Sequence, residues 1–295
     1  MDKDSFADQG VLRGKAVDYI LKFMLPRNYI NNAQIPENWN QPILFYEGTI
    51  RLCQISAGPC GVFAALQSHV ILQHQSNREN EPIILLIFSI IDIMNKLNPG
   101  VFSLVTYVDL GEKRIDIFTT TSQEIFTQYI LRTDFFNQPF AIFLLSLSFV
   151  YTAGPEKLSS YAFPETFIDD DGNTDIHFVT LLIRGEAIDS VSDEYTIYSG
   201  SLNSCATSKM SIGIIQLYEN ERSLLPAGAN VSDSLLRNWV VYNGEHFYSV
   251  VLERGNFYVF DPFIKDIAPS KVLEQDHPIY VKLMELAQKF GIDFS

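Results

Sequence analysis

The sequence predicts an α+β protein in which a helical part is followed by an antiparallel β meander. In the first half, apolar residues recur at helical spacing, whereas in the second half short runs of β-branched and aromatic residues alternate with polar ones. Apolar residues form 47% of the 295 residues, so a sizeable core is possible and global disorder is excluded. We expect one domain over 1–295, divided into a helical part at about 1–150, a sheet-rich part at about 176–265 and a C-terminal helix at 271–290.

The helices are predicted from apolar stripes that end at glycine, proline or asparagine. Phe63, Leu66 and Val70, for example, fall on one face of such a helix. The stretch 25–42 is rich in proline and asparagine and the stretch 154–175 is polar, so we expect loops there. The predicted helices lie at 12–24, 60–74, 82–97, 122–131, 139–150, 176–184 and 271–290.

The strands are predicted from alternation and from tight-turn signals. Two runs at 105–109 and 114–119 flank a short turn and predict a hairpin. The dipeptide Asn243-Gly244, which favours a two-residue turn, joins the runs at 238–242 and 246–252. Two further strands are predicted at 212–219 and 257–261.

Charge and composition restrict the expected partners of the protein. The formal net charge is −14, which argues against binding a nucleic-acid backbone and is compatible with a basic partner. The longest apolar runs, 83–91 and 140–150, are shorter than the roughly 20 residues that a membrane span needs. The N-terminus has no signal-peptide pattern, and three cysteines do not suggest a disulfide framework. We therefore expect a monomer of the cytoplasm or nucleus that binds neither nucleic acid nor membranes.

The strongest chemical signal lies around Cys60, at the first turn of a predicted helix and directly after the Gly58-Pro59 breaker. A helix N-terminus carries partial positive charge and free N–H groups, both of which favour a thiolate. Gln54, six residues upstream, is well placed to donate a hydrogen bond to a developing oxyanion. The pattern is typical of a thiol nucleophile.

A thiol nucleophile needs a base, and the chain has five histidines: His69, His74, His177, His246 and His277. His69 and His74 share the helix of Cys60 but lie two or more turns along it, too far away to touch the sulfur. His246 opens a strand of aromatic and β-branched residues, a rigid position that suits a general base. We therefore predict His246 as the base.

A carboxylate that orients the base is predicted at Asp261, which ends the next strand. If Arg254-Gly255 forms the centre of the intervening turn, Asp261 lies opposite Tyr248, on the face of His246 and one diagonal step away. A carboxylate there would fix the tautomer and orientation of the imidazole. A turn longer or shorter by one residue would place Asp261 on the other face.

Each of these residues also has a structural interpretation. A cysteine at a helix start is commonly a small buried hydrophobe, a strand histidine is more often structural than catalytic, and Asp261 before Pro262 would form a turn. The acidic run at 169–173 has some features of a calcium loop, but Phe167 occupies the first ligand position. The cysteine spacing gives no zinc site, so we expect neither a metal nor another cofactor.

Three segments, in chain order, resemble the MINDY family of cysteine deubiquitinases. Residues 54–67 match the family's active-site segment, in which a Gln precedes Gly-Pro-Cys and an Ala- and Val-rich helix that contains a Gln. Residues 238–250 (Asn-Trp-Val-Val-Tyr-Asn-Gly-Glu-His-Phe-Tyr-Ser-Val) are similar to its Trp-Val-Val segment that ends in His-Phe-Ser-Val. Residues 181–187, followed by Ile212-Gly213, resemble its leucine-rich segment and Ile-Gly strand.

The resemblance implies a papain-like cysteine protease fold, formed by a single catalytic domain, and a thiol-dependent hydrolase of isopeptide bonds between ubiquitins. It implies ubiquitin and polyubiquitin chains as partners and a preference for the linkage that sends proteins to the proteasome. By this resemblance Cys60 is the nucleophile, His246 the base and Gln54 the oxyanion-hole donor, while Asp261 orients the base. No cofactor is implied.

Three alternatives remain open at this point. The protein is a papain-like peptidase of other specificity, a catalytically inactive ubiquitin-binding protein, or a structural protein in which Cys60 is part of the core. The presence of Gln54, Cys60 and His246 together argues against an inactive protein.

Overall fold

The computed structural model describes residues 7–161, 166–188, 195–198, 201–204, 211–220, 223–231, 238–253, 256–263, 271–272, 280–281 and 284. Helices and sheets both occur, and the α+β class is confirmed. No helix of the described residues is both long and apolar enough to cross a membrane. Cys205 and His277, which the sequence analysis considered, lie outside the described residues.

The predicted helices between residues 60 and 184 are confirmed, with small differences at their ends. Two further helices, each of five residues, occupy stretches that were predicted as loops; both follow a proline or begin with one, which presets the helical φ. In the described residues the helices are α1 (Lys15–Met24), α2 (Arg27–Asn31), α3 (Cys60–Ser76), α4 (Pro82–Leu97), α5 (Gln123–Arg132), α6 (Ala141–Ala153), α7 (Pro155–Ser159) and α8 (Ile176–Arg184).

Thirteen strands are found in the described residues, and the predicted hairpins are among them. The strands are β1 (Ala7–Arg13), β2 (Leu44–Phe45), β3 (Leu52–Cys53), β4 (Phe102–Asp109), β5 (Arg114–Thr120), β6 (Tyr195–Tyr198), β7 (Ser201–Ser204), β8 (Gly213–Asn220), β9 (Ser223–Val231), β10 (Asn238–Tyr242), β11 (Phe247–Glu253), β12 (Asn256–Phe260) and β13 (Lys271–Val272). They form an eight-stranded sheet in the order β13-β12-β11-β10-β8-β9-β6-β7, a three-stranded sheet in the order β1-β5-β4, and the pair β2-β3.

The large sheet contains the predicted meander and one departure from it. β10, β11 and β12 follow one another in antiparallel pairs, as predicted. β8, however, pairs with β10 in parallel, so the sheet is mixed rather than purely antiparallel. A parallel pair needs a long crossover, and here β9 pairs with the outer side of β8, away from β10.

Both ends of the chain differ from the prediction. The first helix was predicted over 12–24 but begins only at Lys15, because the residues before Gly14 form β1, which pairs with the central strand β5 of the three-stranded sheet. The C-terminal helix was predicted over 271–290, yet its first two residues form strand β13 against β12. Residues 280–281 and 284 are helical, and the rest of that prediction lies outside the described residues.

The helix α3 occupies the centre of the molecule. Its residues from Cys60 to Ile71 are all buried, which explains why it shows an apolar surface on every side rather than one stripe. It packs against α4 and α8 and, on its other side, against β10 and β11. The buried helix thereby lies against two interior strands of the large sheet.

Candidate active site

Cys60 is the first residue of α3, and the local sequence determines that start. Gly58 has a φ of +114°, and Pro59 has no N–H to leave unpaired before the helix. The first hydrogen bond of the helix is donated by the Phe63 N–H to the Pro59 carbonyl, at 3.0 Å. Helix geometry therefore leaves the amides of residues 60–62 at the end where the thiol lies.

A buried polar seam fixes α3 on the sheet. The Ser249 hydroxyl donates to the Ala64 carbonyl at 2.9 Å and accepts from the Ser68 hydroxyl at 3.0 Å. The Asn238 amide donates to the Ser68 carbonyl at 2.6 Å. One helical turn before Ala64 is Cys60, and the residues just before Ser249 lead back to the start of β11. The seam thus aligns the beginning of α3 with the beginning of β11.

His246 directly precedes β11 and is held by the turn before it. The Asn243 side chain accepts a hydrogen bond from the His246 N–H at 2.8 Å, and the Asn243 N–H donates to the His246 carbonyl at 3.1 Å. Gly244, with a φ of +99°, supplies the left-handed position that this tight turn requires. The turn therefore fixes the backbone from which the imidazole projects.

Asp261 lies beside His246, as the sequence analysis predicted. The register pairs Glu253 with Asn256 and Ser249 with Phe260, so the next residue, Asp261, falls opposite Tyr248. The Asp261 carboxylate (Oδ1) lies 2.9 Å from His246 Nε2. This contact leaves the other ring nitrogen, Nδ1, for the thiol.

The imidazole of His246 is perturbed by both of its neighbours. Burial disfavours the imidazolium and lowers the pKa, but hydrogen bonds to Asp261 and Cys60, together with the charges of both groups, outweigh it. The net effect raises the pKa of His246 to about 9. The effect of Cys60 on this pKa places the sulfur of α3 near the imidazole of the hairpin, while the Cys60 thiol itself donates to the Gly58 carbonyl at 3.9 Å. At neutral pH the histidine of this cluster carries a proton.

Aromatic rings flank the histidine. The Tyr248 ring centroid lies 6.2 Å from that of His246, and the Phe263 ring centroid lies 6.3 Å from it. Burial and the neighbouring Asp261 raise the pKa of Tyr248, so its phenol stays neutral. The Phe263 N–H also donates to the Asp261 carboxylate at 2.9 Å. The His246–Asp261 pair is therefore partly shielded from water, which strengthens its electrostatic attraction.

Gln54 is buried, and its backbone and side chain have different partners. Its N–H donates to the Pro262 carbonyl at 2.8 Å, which ties the segment before Cys60 to the residue after Asp261. The side-chain amide donates to the Ser56 carbonyl at 2.8 Å, while its oxygen has no hydrogen-bond partner among the described residues. Gln54 is thus bonded to the residue that follows Asp261, and one of its two amide hydrogens is already used.

A cleft of about 350 Å³ opens beside the thiol. Three carboxylates face it, from Asp169, Asp175 and Glu245, so the cleft is negatively charged. Burial, followed by the charges of Asp175 and Cys60, raises the pKa of Tyr242 in its wall. The lining residues are Cys60, Asp169, Asn173, Thr174, Asp175, Ile176, Tyr242, Gly244, Glu245 and Phe247.

The wall of the cleft is bonded directly to the segment that precedes Cys60. Thr174 donates to the Gly58 carbonyl twice, from its N–H at 2.8 Å and from its hydroxyl at 2.9 Å. A Cβ on Gly58 would lie 2.4 Å from the Asn38 amide nitrogen and 2.7 Å from the Gly172 carbonyl oxygen. A Cβ on Gly61 would lie 2.7 Å from the side chain of Thr174. Only glycine fits at these two positions.

The other histidines in the described residues do not join the cluster. His69 is fully buried in α3, where Nε2 lies 3.3 Å from the Leu182 carbonyl, and burial holds the pKa of its imidazole well below the usual range. The His177 ring contacts the Asp175 carboxylate at the start of α8. Neither has the paired thiol and carboxylate of His246.

The acidic run at 169–173 forms a local turn. The Asp169 carboxylate accepts hydrogen bonds from the backbone N–H groups of Asp171 and Asn173, at 3.0 Å and 2.7 Å. An aspartate that binds its own backbone in this way is a common turn device. Among the described residues, no group of three or more histidine, cysteine, aspartate or glutamate side chains is arranged to hold a metal ion.

Several residues around the cluster were not found by sequence reasoning. Arg51 contacts the backbone at Asp261, and Asp175 and Tyr242 line the cleft. An arginine before a two-residue strand and an aspartate that caps a helix occur in most proteins, so their local sequence carries no signal for this site. Their roles follow only from contacts between distant parts of the chain.

The fold and the site together define an α+β protein with a buried cluster of cysteine, histidine and aspartate. Comparison of the chain finds no match among protein-family models, curated proteins or solved structures.

Proposed function

We propose that the protein is a cysteine-type deubiquitinase with a papain-like fold, which hydrolyses isopeptide bonds in ubiquitin chains. The observation that carries the proposal is the cluster in which His246 bonds Asp261 at 2.9 Å and lies near enough to Cys60 for the thiol to raise the pKa of the imidazole. A nucleophile, a base and a group that orients the base are the three parts that covalent hydrolysis by a thiol needs. The resemblance of three segments to the MINDY family supports ubiquitin as the substrate.

The reaction proceeds in two steps. The Cys60 thiolate attacks the carbonyl carbon of the C-terminal glycine of ubiquitin, and the tetrahedral oxyanion accepts hydrogen bonds from the Cys60 N–H and from Gln54. Nε2 of Gln54 already donates to Ser56, so its second hydrogen serves the oxyanion. Loss of one such donor typically raises the barrier by roughly 3–4 kcal/mol.

Collapse of the tetrahedral intermediate breaks the bond to the lysine amine. Protonated His246 gives its proton to the departing amine, and a thioester between Cys60 and ubiquitin remains. His246, now neutral, takes a proton from water as the water attacks the thioester. The carboxylate of ubiquitin leaves, and the thiolate and imidazolium are restored.

The charge of the cleft supports a substrate whose residues next to the scissile bond are basic or neutral. Asp169, Asp175 and Glu245 line the cleft beside the thiol, and the whole chain has a net charge of −14. A basic surface on ubiquitin would be attracted to both. An acidic peptide would be repelled from the same cleft.

The proposal is tested with a ubiquitin probe that carries an electrophile at its C-terminus. We expect wild-type protein and a Cys53→Ser variant to form a covalent adduct with the probe, and a Cys60→Ala variant to form none. Cys53 is the matched control because it is a half-buried free cysteine outside the cluster. A panel of ubiquitin chains of defined linkage and length then reports the linkage preference, which we expect to favour the proteasome-targeting type.

The same experiment separates the alternatives. A papain-like peptidase of other specificity would cleave peptides but leave the ubiquitin probe unlabelled. A catalytically inactive ubiquitin-binding protein would bind chains without forming an adduct at Cys60. If Cys60 is only part of the core, its alkylation at neutral pH would be slow.

A further inference from the structure

The backbone of Asp261, whose carboxylate orients the proposed base, is held by hydrogen bonds from another part of the chain. Asp261 directly follows β12 and precedes Pro262, which lacks an N–H and so contributes no donor to the sheet. The backbone of Asp261 is therefore held by groups outside the sheet. The contacts that hold it come from a segment about 210 residues earlier in the chain, between β2 and β3.

Arg51 supplies the central contact. Its Nη2 donates to the Asp261 carbonyl at 2.9 Å, and its Nε donates to the same oxygen at 3.2 Å. The residue is 8% exposed, so both hydrogen bonds lie away from water. A guanidinium presents these donors in a planar fork, which restrains the direction of the carbonyl as well as its distance.

Two neighbours reinforce the same stretch. The Tyr46 hydroxyl donates to the Pro262 carbonyl at 3.3 Å, and the Arg51 guanidinium lies 4.6 Å from the centre of the Tyr46 ring. The Gln54 N–H donates to the same Pro262 carbonyl at 2.8 Å. Arg51 and Gln54 flank strand β3, so the short β2–β3 pair forms a clamp on the backbone of residues 261–262.

We propose that Arg51 is a positioning residue, which holds Asp261 in the orientation that the carboxylate needs to bind His246. The hydrogen bonds of Arg51 that lie within the described residues reach the backbone of Asp261, so its action on the imidazole passes through that backbone. The role rests on the proposed function, since the orientation of Asp261 matters for catalysis only if His246 serves Cys60. The clamp nevertheless has a consequence that is measurable without any substrate.

The direction in which the pKa of His246 changes when Arg51 is removed distinguishes a clamp from a simple effect of charge. If Arg51 acted only through its positive charge, its removal would favour the imidazolium and raise the pKa of His246. If it acts as a clamp, its removal loosens Asp261, weakens the bond to Nε2, and lets the pKa of His246 fall from about 9 toward its ordinary value. A purely structural arginine would change stability and leave the titration of the folded protein unaltered.

The test is an NMR titration of the His246 imidazole in wild type, Arg51→Met, Arg51→Lys and Arg114→Met. We expect the pKa of His246 to fall in Arg51→Met and to fall part of the way in Arg51→Lys, which retains the charge without the fork. Arg114→Met is the matched control, because Arg114 forms a two-bonded pair with Asp116 in a distant hairpin, and its titration should equal that of wild type. If Arg51→Met does not fold, Arg51→Lys and Tyr46→Phe provide the same readout.

A second readout is the rate of ubiquitin hydrolysis. We expect kcat/KM to fall by about 10- to 100-fold in Arg51→Met, through kcat rather than KM, with partial recovery in Arg51→Lys. An unchanged or raised His246 pKa in the folded Arg51 variants would overturn the proposed clamp. A wild-type protein that does not label with the ubiquitin probe would overturn the proposed function instead, while the titration would still report on the clamp.

Discussion

The proton on His246 decides the chemistry of this site at neutral pH. Because the pKa of His246 is about 9, its imidazole is charged at neutral pH. In the proposed reaction the resting pair is therefore an imidazolium beside the sulfur of Cys60. The ordinary histidine value is about 6.5. In the proposed reaction, the bond to Asp261 thus extends the pH range over which His246 holds a proton for the departing amine.

The first prediction at this scale concerns the alkaline side of the pH–rate profile. We expect kcat/KM to decline above about pH 9 in the wild type, as the imidazolium loses its proton, and to decline at lower pH in Asp261→Asn. Asp116→Asn is the control, because that carboxylate pairs with Arg114 away from the site. An alkaline decline at the same pH in wild type and Asp261→Asn would contradict the assignment.

The free energy of unfolding should depend on pH through the protonation of His246. Because the pKa of His246 in the folded protein lies above that of an unfolded histidine, the pair contributes fully below about pH 6.5 and its contribution is lost as the pH rises through about 9. Chemical denaturation at both ends of that range, in wild type and in His246→Gln, isolates the effect of this residue. Equal pH dependence in the two proteins would mean that other groups account for it.

The second prediction ranks the two partners of the thiol. We expect Asp261→Ala to reduce kcat/KM by about 10- to 100-fold, whereas His246→Ala, which removes the proton donor itself, reduces it by about 1,000-fold or more. Both are measured with the same ubiquitin chain, and Cys60→Ala gives the background. An equal or larger loss in Asp261→Ala would reverse the order of the two roles.

At the scale of elements, the site depends on how α3 lies against β11. The hydroxyls of Ser68 and Ser249 bond each other inside the core, and Ser249 also reaches the carbonyl of Ala64. Buried polar groups that satisfy each other fix one alignment of two packed elements, since any slip would leave them unpaired. The approach of thiol and imidazole is a consequence of that alignment.

Ser249→Ala tests this alignment. We expect the free energy of unfolding to fall by about 1–3 kcal/mol, because the Ser68 hydroxyl keeps its burial and loses its partner. The double variant Ser68→Ala/Ser249→Ala should recover part of that loss. Ser89→Ala is the control: in the described part of the chain its buried hydroxyl bonds the Leu85 carbonyl one turn earlier and no other group, so its cost should stay below about 1 kcal/mol. A double variant less stable than the sum of the two single ones would contradict the seam.

The sequence was informative about elements whose burial follows a simple period. The helices that begin at Cys60 and Pro82 and the turn at Asn243-Gly244 were predicted because apolar spacing and turn chemistry are local. Strand β1 was missed because almost all its residues are exposed, so no alternation marks it. The residues at the start of β13 were assigned to a helix because their pairing with β12 is not local.

The same distinction explains the site. The placement of Cys60, His246 and Asp261 could be predicted because each lies at the end of a predicted element beside a turn signal, and the register of one hairpin determined which face Asp261 occupies. Arg51 and the cleft-lining Asp175 could not, because they reach the site through contacts across the fold. The parallel pairing of β8 with β10 escaped prediction for the same reason.

At the scale of the whole molecule, the net charge of −14 should steer a basic partner toward the acidic cleft. We expect kcat/KM for ubiquitin chains to fall by about threefold to tenfold as salt rises from about 0.05 M to about 0.5 M, because screening shortens the range of attraction. Alkylation of Cys60 by uncharged iodoacetamide is the control and should vary little. A rate on chains that is constant or rises with salt would contradict this steering.

The crowded glycines before and after the nucleophile carry an evolutionary consequence. A side chain at Gly58 would collide with Asn38 and Gly172, and one at Gly61 with Thr174 and Val179, whereas a Cβ on Gly10 or Gly111 would meet nothing closer than 3.4 Å and neither of these glycines has a positive φ. Selection should therefore tolerate replacement at the open positions and purge it at the crowded ones. Homologues too divergent to be recognised over their full length should still share a Gly-x-Cys-Gly signature, together with a threonine just before a later helix.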